Sequence, residues 1–192
     1  MAVNGTNGVK ADLSAMATNP KFIFFTDFDG TITSSDSNDY LTDNFGMGIE
    51  TRRGLNKQVL ANTLTFRSAF KQMLDSIPTP FDKCTDVLLE KIALDSGFKA
   101  FYDWAKENNV PIVILSGGMT PLIRALLNKL MGEDTTMQII SNDVAARPGK
   151  TINDENGWEM KFRDDRLVLS ILCPFYFSHG NEYLDMFTRS QL

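Results

Sequence analysis

Two aspartates separated by a single residue, Asp27 and Asp29, follow the short, largely apolar run 21–26. Side chains at positions i and i+2 of an extended segment point to the same side, so both carboxylates face one space. A hard divalent cation such as Mg²⁺, which prefers oxygen ligands, would relieve the repulsion between them. One carboxylate could then attack a phosphoryl group, while the other exchanges protons with the leaving group and with water. The spacing therefore indicates metal-assisted phosphoryl transfer.

Small and hydroxylated residues in two separate segments could bind the phosphoryl oxygens. Gly30 would let the chain turn sharply after the acids, and Thr31 offers a hydroxyl and a backbone amide. A second apolar run at 111–115 ends at Ser116 and Gly117, just before a helix start, and its hydroxyl and unobstructed amides could also hold an anion. Each segment taken separately also fits an ordinary polar turn, but together and in this order they favour one anion site.

The elements that must position these residues alternate between strands and helices. Continuous apolar runs at 21–26, 111–115 and 137–141 predict buried strands, the first of them covered on both faces. Apolar residues at helical spacing predict helices that begin near residues 98 and 120. This alternation predicts an α/β fold with a Rossmann-like parallel sheet, whose carboxyl edge carries the acids and the serine.

The interval between the first two strands carries helical patterns and no strand pattern. Helical stretches at 64–77 and 81–92 are separated by a Pro-Thr-Pro segment. We therefore expect residues 37–97 to form a small α-helical cap, inserted into an α/β core that comprises residues 21–36 and 98–165.

The two ends of the chain and one internal turn complete the predicted organisation. Residues 1–20 are rich in Gly, Asn, Ser and Ala and are expected to form a flexible leader without a secretory signal. The Asn-Gly pair at 156–157 predicts a type I′ turn that joins segments 150–152 and 158–162 in a hairpin.

Composition limits the classes of partner. The chain has 192 residues and a formal net charge of −5, which argues against non-specific binding to nucleic acid or to anionic membranes. The longest apolar stretch, 167–177, is too short for a membrane helix, which needs about 20 residues. We expect a cytoplasmic protein that acts on a small phosphorylated metabolite, with no nucleic-acid or membrane partner. The composition leaves the oligomeric state open.

These motifs resemble those of a known enzyme family. The segment 25–33 resembles the first motif, D-x-D-G-T, of the haloacid dehalogenase (HAD) superfamily, and 114–118 resembles its second. The helical insert is similar to the small cap of the phosphoserine-phosphatase-like branch, and the run 36–41 is similar to fungal HAD-like hydrolases. The resemblance implies a HAD-like Rossmann fold and a Mg²⁺-dependent phosphatase that hydrolyses phosphomonoesters.

The resemblance also implies a role for individual residues. Asp27 would be the nucleophile that becomes a phospho-aspartate, and Asp29 would be the general acid/base. Asp27 and the backbone carbonyl of Asp29 would hold the metal. Ser116 would be a phosphate ligand, beside the substrate-binding candidates Thr31 and Gly117.

The C-terminal part departs from the family pattern. Family members carry a lysine after the hairpin and then a Gly-Asp-Gly-x-x-Asp segment, whereas Lys161 is the last lysine here and no such segment follows. Residues 166–192 form an atypical tail, as an altered reading frame would produce. We expect the sheet to lack its last strands, which would leave one edge open and impair catalysis. Two alternatives stay open: a catalytically inactive, phosphate-binding or partner-binding remnant, and a receiver-like module whose aspartate only accepts a phosphoryl group.

Overall fold

The structure is a computed structural model that describes residues 14–132 and 137–163. The atypical tail 166–192 and residues 1–13 of the predicted leader lie outside these ranges. The described elements, in chain order, are a short 3-10 turn (Ser14–Met16), β1 (Phe24–Thr26), α1 (Ser37–Phe45), α2 (Ile49–Leu60), α3 (Phe66–Asp75), α4 (Phe81–Lys91), α5 (Phe98–Glu107), β2 (Ile112–Met119), α6 (Thr120–Met131), β3 (Gln138–Ala146) and β4 (Trp158–Lys161).

The four strands form one sheet in the order β1-β2-β3-β4. The first three strands are parallel, with Thr26 opposite Ile114 and Ile114 opposite Ile139, and β4 is antiparallel to β3. Parallel strands that are joined through helices place their carboxyl ends at one edge of the sheet. The predicted α/β fold with a Rossmann-like parallel sheet is therefore confirmed, and the acids after β1 lie at the same edge as the end of β2.

Strand β2 is longer than the sequence predicted. It continues through Ser116 to Met119, and its pairing with β3 shifts between Leu115 and Met119, which lies opposite Asn142. The predicted end of this strand at residue 115, and the alternative of an ordinary turn after it, are therefore wrong. A local irregularity of this kind bends a strand and redirects its side chains without ending it.

Strand β1 is more exposed than the sequence predicted. Phe24 is 44% exposed and Phe25 is 56% exposed, so the expectation of a strand covered on both faces is wrong. Among the described residues, β1 has a strand neighbour on one side only, namely β2. The ring of Phe24 packs edge-on against Phe101 of α5 at 4.7 Å between centroids. Within these residues, β1 is therefore an edge strand, whereas the expected loss of the last strands concerns residues 166–192, which lie outside the described ranges.

The segment 37–97 is helical, as predicted. It contains α1 to α4, and the predicted stretches at 64–77 and 81–92 correspond to α3 and α4. An isolated β-bridge pairs Thr33 with Leu94. It joins the segment that leads into these helices to the segment that follows them. Apolar side chains of these helices belong to the same hydrophobic cluster as those of α6 and β4. The bounds of the cap as a separate domain stay a prediction.

The hairpin near the end of the described chain differs from the predicted one. The strand that pairs with β4 is β3, so the connection spans 147–157 and segment 150–152 is not a strand. Trp158 anchors β4 in the core. Its side chain is 1% exposed, its ring packs against Phe81 at 5.5 Å and its Nε1 donates to the carbonyl of Thr79 at 2.9 Å. The Asn-Gly pair still turns the chain, with Asn156 at a φ of +52° and the Gly157 amide donating to the carbonyl of Asp154 at 2.9 Å, but this turn lies inside the longer connection. In the described ranges, no helix combines the length and the apolar character that crossing a membrane would require.

Candidate active site

The first motif forms a tight turn directly after β1. The amides of residues 31–33 all converge on the carbonyl of Phe28, at 3.2, 2.9 and 3.1 Å, and the Phe28 side chain is fully buried. Gly30 has a φ of +71°, which glycine adopts without strain. Asp27 Oδ1 accepts a hydrogen bond from the Phe28 amide at 2.7 Å. Because the Thr31 amide already donates within the turn, only the exposed hydroxyl of Thr31 is left for a phosphate oxygen.

The second acid of the motif is held by the start of helix α1. Asp29 Oδ1 accepts from the Ser37 amide at 2.8 Å, and Asp29 Oδ2 accepts from Nδ2 of Asn38 at 2.8 Å. The helix itself is capped by Asp36, whose Oδ1 accepts from the amides of Asn38 and Asp39, both at 2.8 Å. The carboxylate of Asp29 is therefore fixed at both oxygens by the first element of the helical segment.

The second motif lies against Asp29. Ser116 is 1% exposed, and its Oγ accepts a hydrogen bond from the Gly118 amide at 3.0 Å. A β-carbon at position 118 would lie 3.3 Å from Asp29 Oδ2, 3.3 Å from Ser116 Oγ and 3.4 Å from Asn38 Nδ2. The structure thus brings residues 29 and 116 together around a glycine, whose missing side chain permits the close approach.

Asn142, where the parallel pairing of β3 with β2 ends, supports this edge of the sheet. Its Nδ2 donates to the carbonyl of Gly117 at 2.8 Å, and its Oδ1 accepts from the Arg163 amide at 3.1 Å. The side chain is 4% exposed. The sequence analysis missed Asn142, although it is the polar residue that follows the predicted strand 137–141 and so occupies the position of Asp27 and Ser116 on their strands.

Ionisation of the carboxyl groups of the site is energetically unfavourable. Burial raises the pKa of Asp27 to about 6, with a further contribution from the negative charge of Asp36. Burial also raises the pKa of Asp29 well above its usual range, and Asp36 and Asp27 add to this effect. The pKa of Asp36 is raised by burial as well. Such a group of buried acids favours either bound protons or a bound cation.

One arginine lies close to these acids, but it is already paired. Arg52 of α2 is 9% exposed and contacts Asp43 of α1 through Nε at 2.7 Å and Nη2 at 2.8 Å. Its Nη1 also lies 2.5 Å from Asp39 Oδ2. Burial raises the pKa of Asp39 to about 7, and Arg52 partly opposes that rise. Arg52 therefore connects α1 to α2, and α1 in turn holds Asp29.

The donor set suits a hard cation. Asp27 Oδ1, which accepts one hydrogen bond and keeps a lone pair, and the carbonyl of Asp29 are oxygen ligands of the kind that Mg²⁺ takes, and they leave Asp27 Oδ2 for another role. The side chain of Asp29 is less suited, because both of its oxygens already accept hydrogen bonds. Within residues 14–132 and 137–163, no three acidic, histidine or cysteine side chains converge as metal ligands. Mg²⁺ at this position would complete its coordination with water and substrate oxygens.

Comparison with known proteins identifies the family. A family model of haloacid dehalogenase-like hydrolases matches residues 24–165, which include both motifs and the helical segment between them. The chain belongs to this family. The match ends close to the point at which the sequence departs from the family pattern.

Relatives of this HAD-like chain include fungal proteins. It is 44% identical over 152 residues to Pdp3-interacting factor 1 of Schizosaccharomyces pombe, a match that covers 78% of this chain and 64% of the relative. It is also 44% identical over 147 residues to a polyol phosphate phosphatase of Saccharomyces cerevisiae, which covers 76% of this chain and 58% of the relative. The chain therefore spans about three fifths of the length of these relatives.

A solved structure supports the fold of this HAD-like chain. A phosphoserine phosphatase, solved as a phospho-aspartyl intermediate analogue, superposes with a TM-score of 0.53 at 17% sequence identity. The superposition covers 73% of this chain and 63% of the phosphatase. The predicted likeness to the phosphoserine-phosphatase branch is confirmed for the fold.

Proposed function

We propose that this chain hydrolyses phosphate monoesters of small metabolites, with Asp27 as the nucleophile and Asp29 as the general acid/base. The observation that carries the proposal is the convergence of Asp29 and Ser116 around Gly118, next to the turn that holds Asp27. A family relative with 44% identity is named a polyol phosphate phosphatase, which supports a phosphorylated polyhydroxy compound as the substrate.

The proposed reaction has two steps. In the first, the free Oδ2 of Asp27 attacks phosphorus, the bond from phosphorus to the ester oxygen breaks, and Asp29 gives its proton to the departing alcohol oxygen. In the second, Asp29 takes a proton from water as that water attacks phosphorus. The bond from phosphorus to Asp27 then breaks and releases inorganic phosphate. Each proton that leaves Asp29 in the first step returns to it in the second.

The environment of Asp29 suits this double role. Its raised pKa keeps a proton available for the leaving group, because burial disfavours the charged form. The hydrogen bonds from Ser37 and Asn38 fix the carboxyl group in one orientation, so that little reorganisation precedes proton transfer.

The phosphoryl group itself would be held by the serine and the turn. In this proposal Ser116 Oγ, the Gly117 amide and the Thr31 hydroxyl donate to its oxygens. Mg²⁺ bound by Asp27 and the Asp29 carbonyl would supply the positive charge that lets an anionic phosphate approach a carboxylate.

A second candidate, a phosphate-binding or partner-binding remnant without turnover, is favoured by the charge balance. In the described part of the chain, the cation nearest the acids is Arg52, which already pairs with Asp39 and Asp43. Residues 162–192 contain no lysine that could neutralise the charge of a phosphate beside these acids.

The test is phosphate release from p-nitrophenyl phosphate by the full chain, with MgCl₂ or with EDTA. The proposal predicts Mg²⁺-dependent release that falls by at least about 10³-fold in Asp27→Asn, because the nucleophile is lost. Asp103→Asn is the matched control, since Asp103 is an exposed helix residue paired with Lys99. Release that persists in Asp27→Asn would exclude Asp27 as nucleophile. A phosphorylated Asp27 that does not turn over would favour the receiver-like module, and phosphate binding without phosphorylation would favour the remnant.

A further inference from the structure

A buried hydrogen-bond acceptor of Asn38 has no partner among the described residues. The Asn38 side chain is 4% exposed, and its Oδ1 is buried without a hydrogen bond. Most buried polar atoms in proteins are hydrogen-bonded, and each exception calls for an explanation. A ligand that brings a donor to this atom would supply one.

The orientation of the Asn38 amide follows from its neighbour. Nδ2 of Asn38 donates to Asp29 Oδ2 at 2.8 Å, which turns Oδ1 of the amide away from that carboxyl oxygen. The same Nδ2 lies 3.4 Å from the position that a β-carbon of residue 118 would occupy. The amide therefore lies at the point where Asp29 and Ser116 meet, and Oδ1 is the acceptor it leaves unpaired there.

We propose that Asn38 acts on the substrate in two ways, and this inference rests on the proposed function. Nδ2 is a positioning group that holds Asp29 in line with the ester oxygen. Oδ1 is a binding group that accepts a hydrogen bond from a hydroxyl of the substrate's alcohol part. The site would therefore take phosphate esters of polyhydroxy alcohols in preference to esters of simple alkyl alcohols.

A neutral hydroxyl fits this acceptor better than an ammonium group does. An ammonium group needs an ionised carboxylate, whereas the unpaired atom here is an amide oxygen, and both oxygens of the adjacent Asp29 already accept N–H groups. The amide oxygen of Asn38 is uncharged and suits an uncharged donor. Sites that hydrogen-bond a substrate hydroxyl reject analogues without it, because the buried group is then left unpaired.

The positioning role has its own kinetic signature. An alkoxide is a poor leaving group and needs the proton of Asp29, whereas p-nitrophenolate departs readily without one. Loss of the Nδ2 hydrogen bond should therefore slow the hydrolysis of alkyl phosphates much more than that of p-nitrophenyl phosphate. A merely structural role would slow all substrates by the same factor.

The experiment compares glycerol 3-phosphate, n-propyl phosphate and p-nitrophenyl phosphate in the full chain with Mg²⁺. For the unsubstituted chain we expect kcat/KM to be about tenfold higher with glycerol 3-phosphate than with n-propyl phosphate, the effect of one hydrogen bond to a buried acceptor. Asn38→Leu should abolish that preference and lower kcat for both alkyl esters by about 10²-fold, with a loss of less than about fivefold for the aryl ester. Asn38→Asp should keep the preference, because it keeps an acceptor, and should lose kcat.

The matched control is Thr42→Val, one turn further along α1. Thr42 is fully buried, and its Oγ1 donates to the Asn38 carbonyl at 2.8 Å, so this variant perturbs the helix without removing a group from the site. We expect it to leave both substrate ratios unchanged. An equal loss on all three substrates in Asn38→Leu would overturn the inference. So would a preference for 2-aminoethyl phosphate over glycerol 3-phosphate that disappears in Asn38→Leu.

Binding measurements separate this inference from the proposed function. In the Asp27→Asn background, which should not turn substrate over, calorimetry should show about tenfold tighter binding of glycerol 3-phosphate than of n-propyl phosphate. Adding Asn38→Leu should equalise the two affinities. Absence of hydrolysis by the unsubstituted chain would refute the proposed function alone, whereas equal affinities in the presence of Asn38 would refute the hydroxyl contact.

Discussion

Replacing Asp27 with asparagine should make the metal-free protein more stable at neutral pH, although it removes the proposed nucleophile. The Asp27 carboxyl is largely buried and its pKa is raised to about 6, so ionisation at pH 7 works against folding. Asparagine is close in size and carries no charge. Its side-chain oxygen can keep the 2.7 Å hydrogen bond from the Phe28 amide. The substitution therefore removes the unfavourable charge and keeps the favourable contact.

The size and the pH window follow from the pKa values. In the unfolded chain Asp27 ionises near pH 3.8, and in the folded chain it ionises near pH 6. Stability from this group is therefore complete below about pH 3.8 and is lost as the pH rises to about 6. A rise of roughly two pKa units, at 1.36 kcal/mol each, corresponds to about 3 kcal/mol. Because Asp27 is partly exposed, we expect a gain of about 1–3 kcal/mol, or roughly 3–8 °C in Tm.

The assay is thermal and urea unfolding followed by circular dichroism at pH 4 and pH 7.5, in EDTA and in MgCl₂. Asp27→Asn should be more stable than the unsubstituted chain at pH 7.5 in EDTA. At pH 4 the two should differ by less than about 1 kcal/mol, because Asp27 is neutral in the folded chain and only about half ionised in the unfolded chain. Added Mg²⁺ should stabilise the unsubstituted chain and have little effect on the variant, because a ligand stabilises only the state that binds it. Asp103→Asn, at an exposed ion pair, should change stability by less than about 1 kcal/mol at either pH.

A lower stability of Asp27→Asn than of the unsubstituted chain at pH 7.5 in EDTA would refute the reasoning. It would mean that the ionised carboxylate is stabilised in the folded chain. An increase that is the same at pH 4 and pH 7.5 would also refute it, since the gain would then not come from the charge.

Three further substitutions test the surrounding structure. Arg52→Met should lower the free energy of unfolding by about 2–4 kcal/mol at pH 7.5, because Asp39 and Asp43 lose their cation. The loss should be smaller at pH 5, where Asp39 is protonated. Urea unfolding at the two pH values measures both losses. Gly157→Ala should lower the free energy of unfolding by more than about 2 kcal/mol in the same assay, because the alanine β-carbon would lie 2.0 Å from a backbone carbonyl oxygen. A loss under about 1 kcal/mol would contradict this close approach between two parts of the 147–157 loop. Phe25→Lys should slow aggregation, followed by light scattering at 37 °C, because a charge on an open edge strand opposes pairing between copies; an unchanged rate would argue against β1 as the exposed edge.

Local sequence patterns were enough to predict the helices. The stretches at 64–77 and 81–92 correspond to α3 and α4, and the helices expected near residues 98 and 120 are α5 and α6. Helical periodicity and punctuation by proline act over a few residues, so neighbours along the chain carry the information. The order of strand and helix also predicted a parallel sheet, because a parallel pair requires a crossover between its strands.

The surroundings of the strands depended on more distant residues. The burial of β1 depends on which strand lies on its outer side, and among the described residues there is none. Strand β4 pairs with β3 across the connection 147–157, and its Trp158 packs against Phe81, which lies on a helix far along the chain. Neither contact leaves a trace in the pattern of the strand itself, so the predicted burial of 21–26 and the predicted hairpin were wrong.

The sequence alone determined the chemical identity of the candidate site: two acids at alternate positions after one strand, and a serine with glycines in the next. Only the tertiary structure decided what those groups touch. Asp29 is held by Ser37 and Asn38 at the start of the helical segment, and Ser116 comes near it around Gly118, where the pairing of β2 with β3 changes register. The physical reason is the distance along the chain over which each kind of interaction acts. Side-chain alternation and turn sterics are properties of adjacent residues, whereas hydrogen bonds and burial in the site are made between segments that only folding brings together.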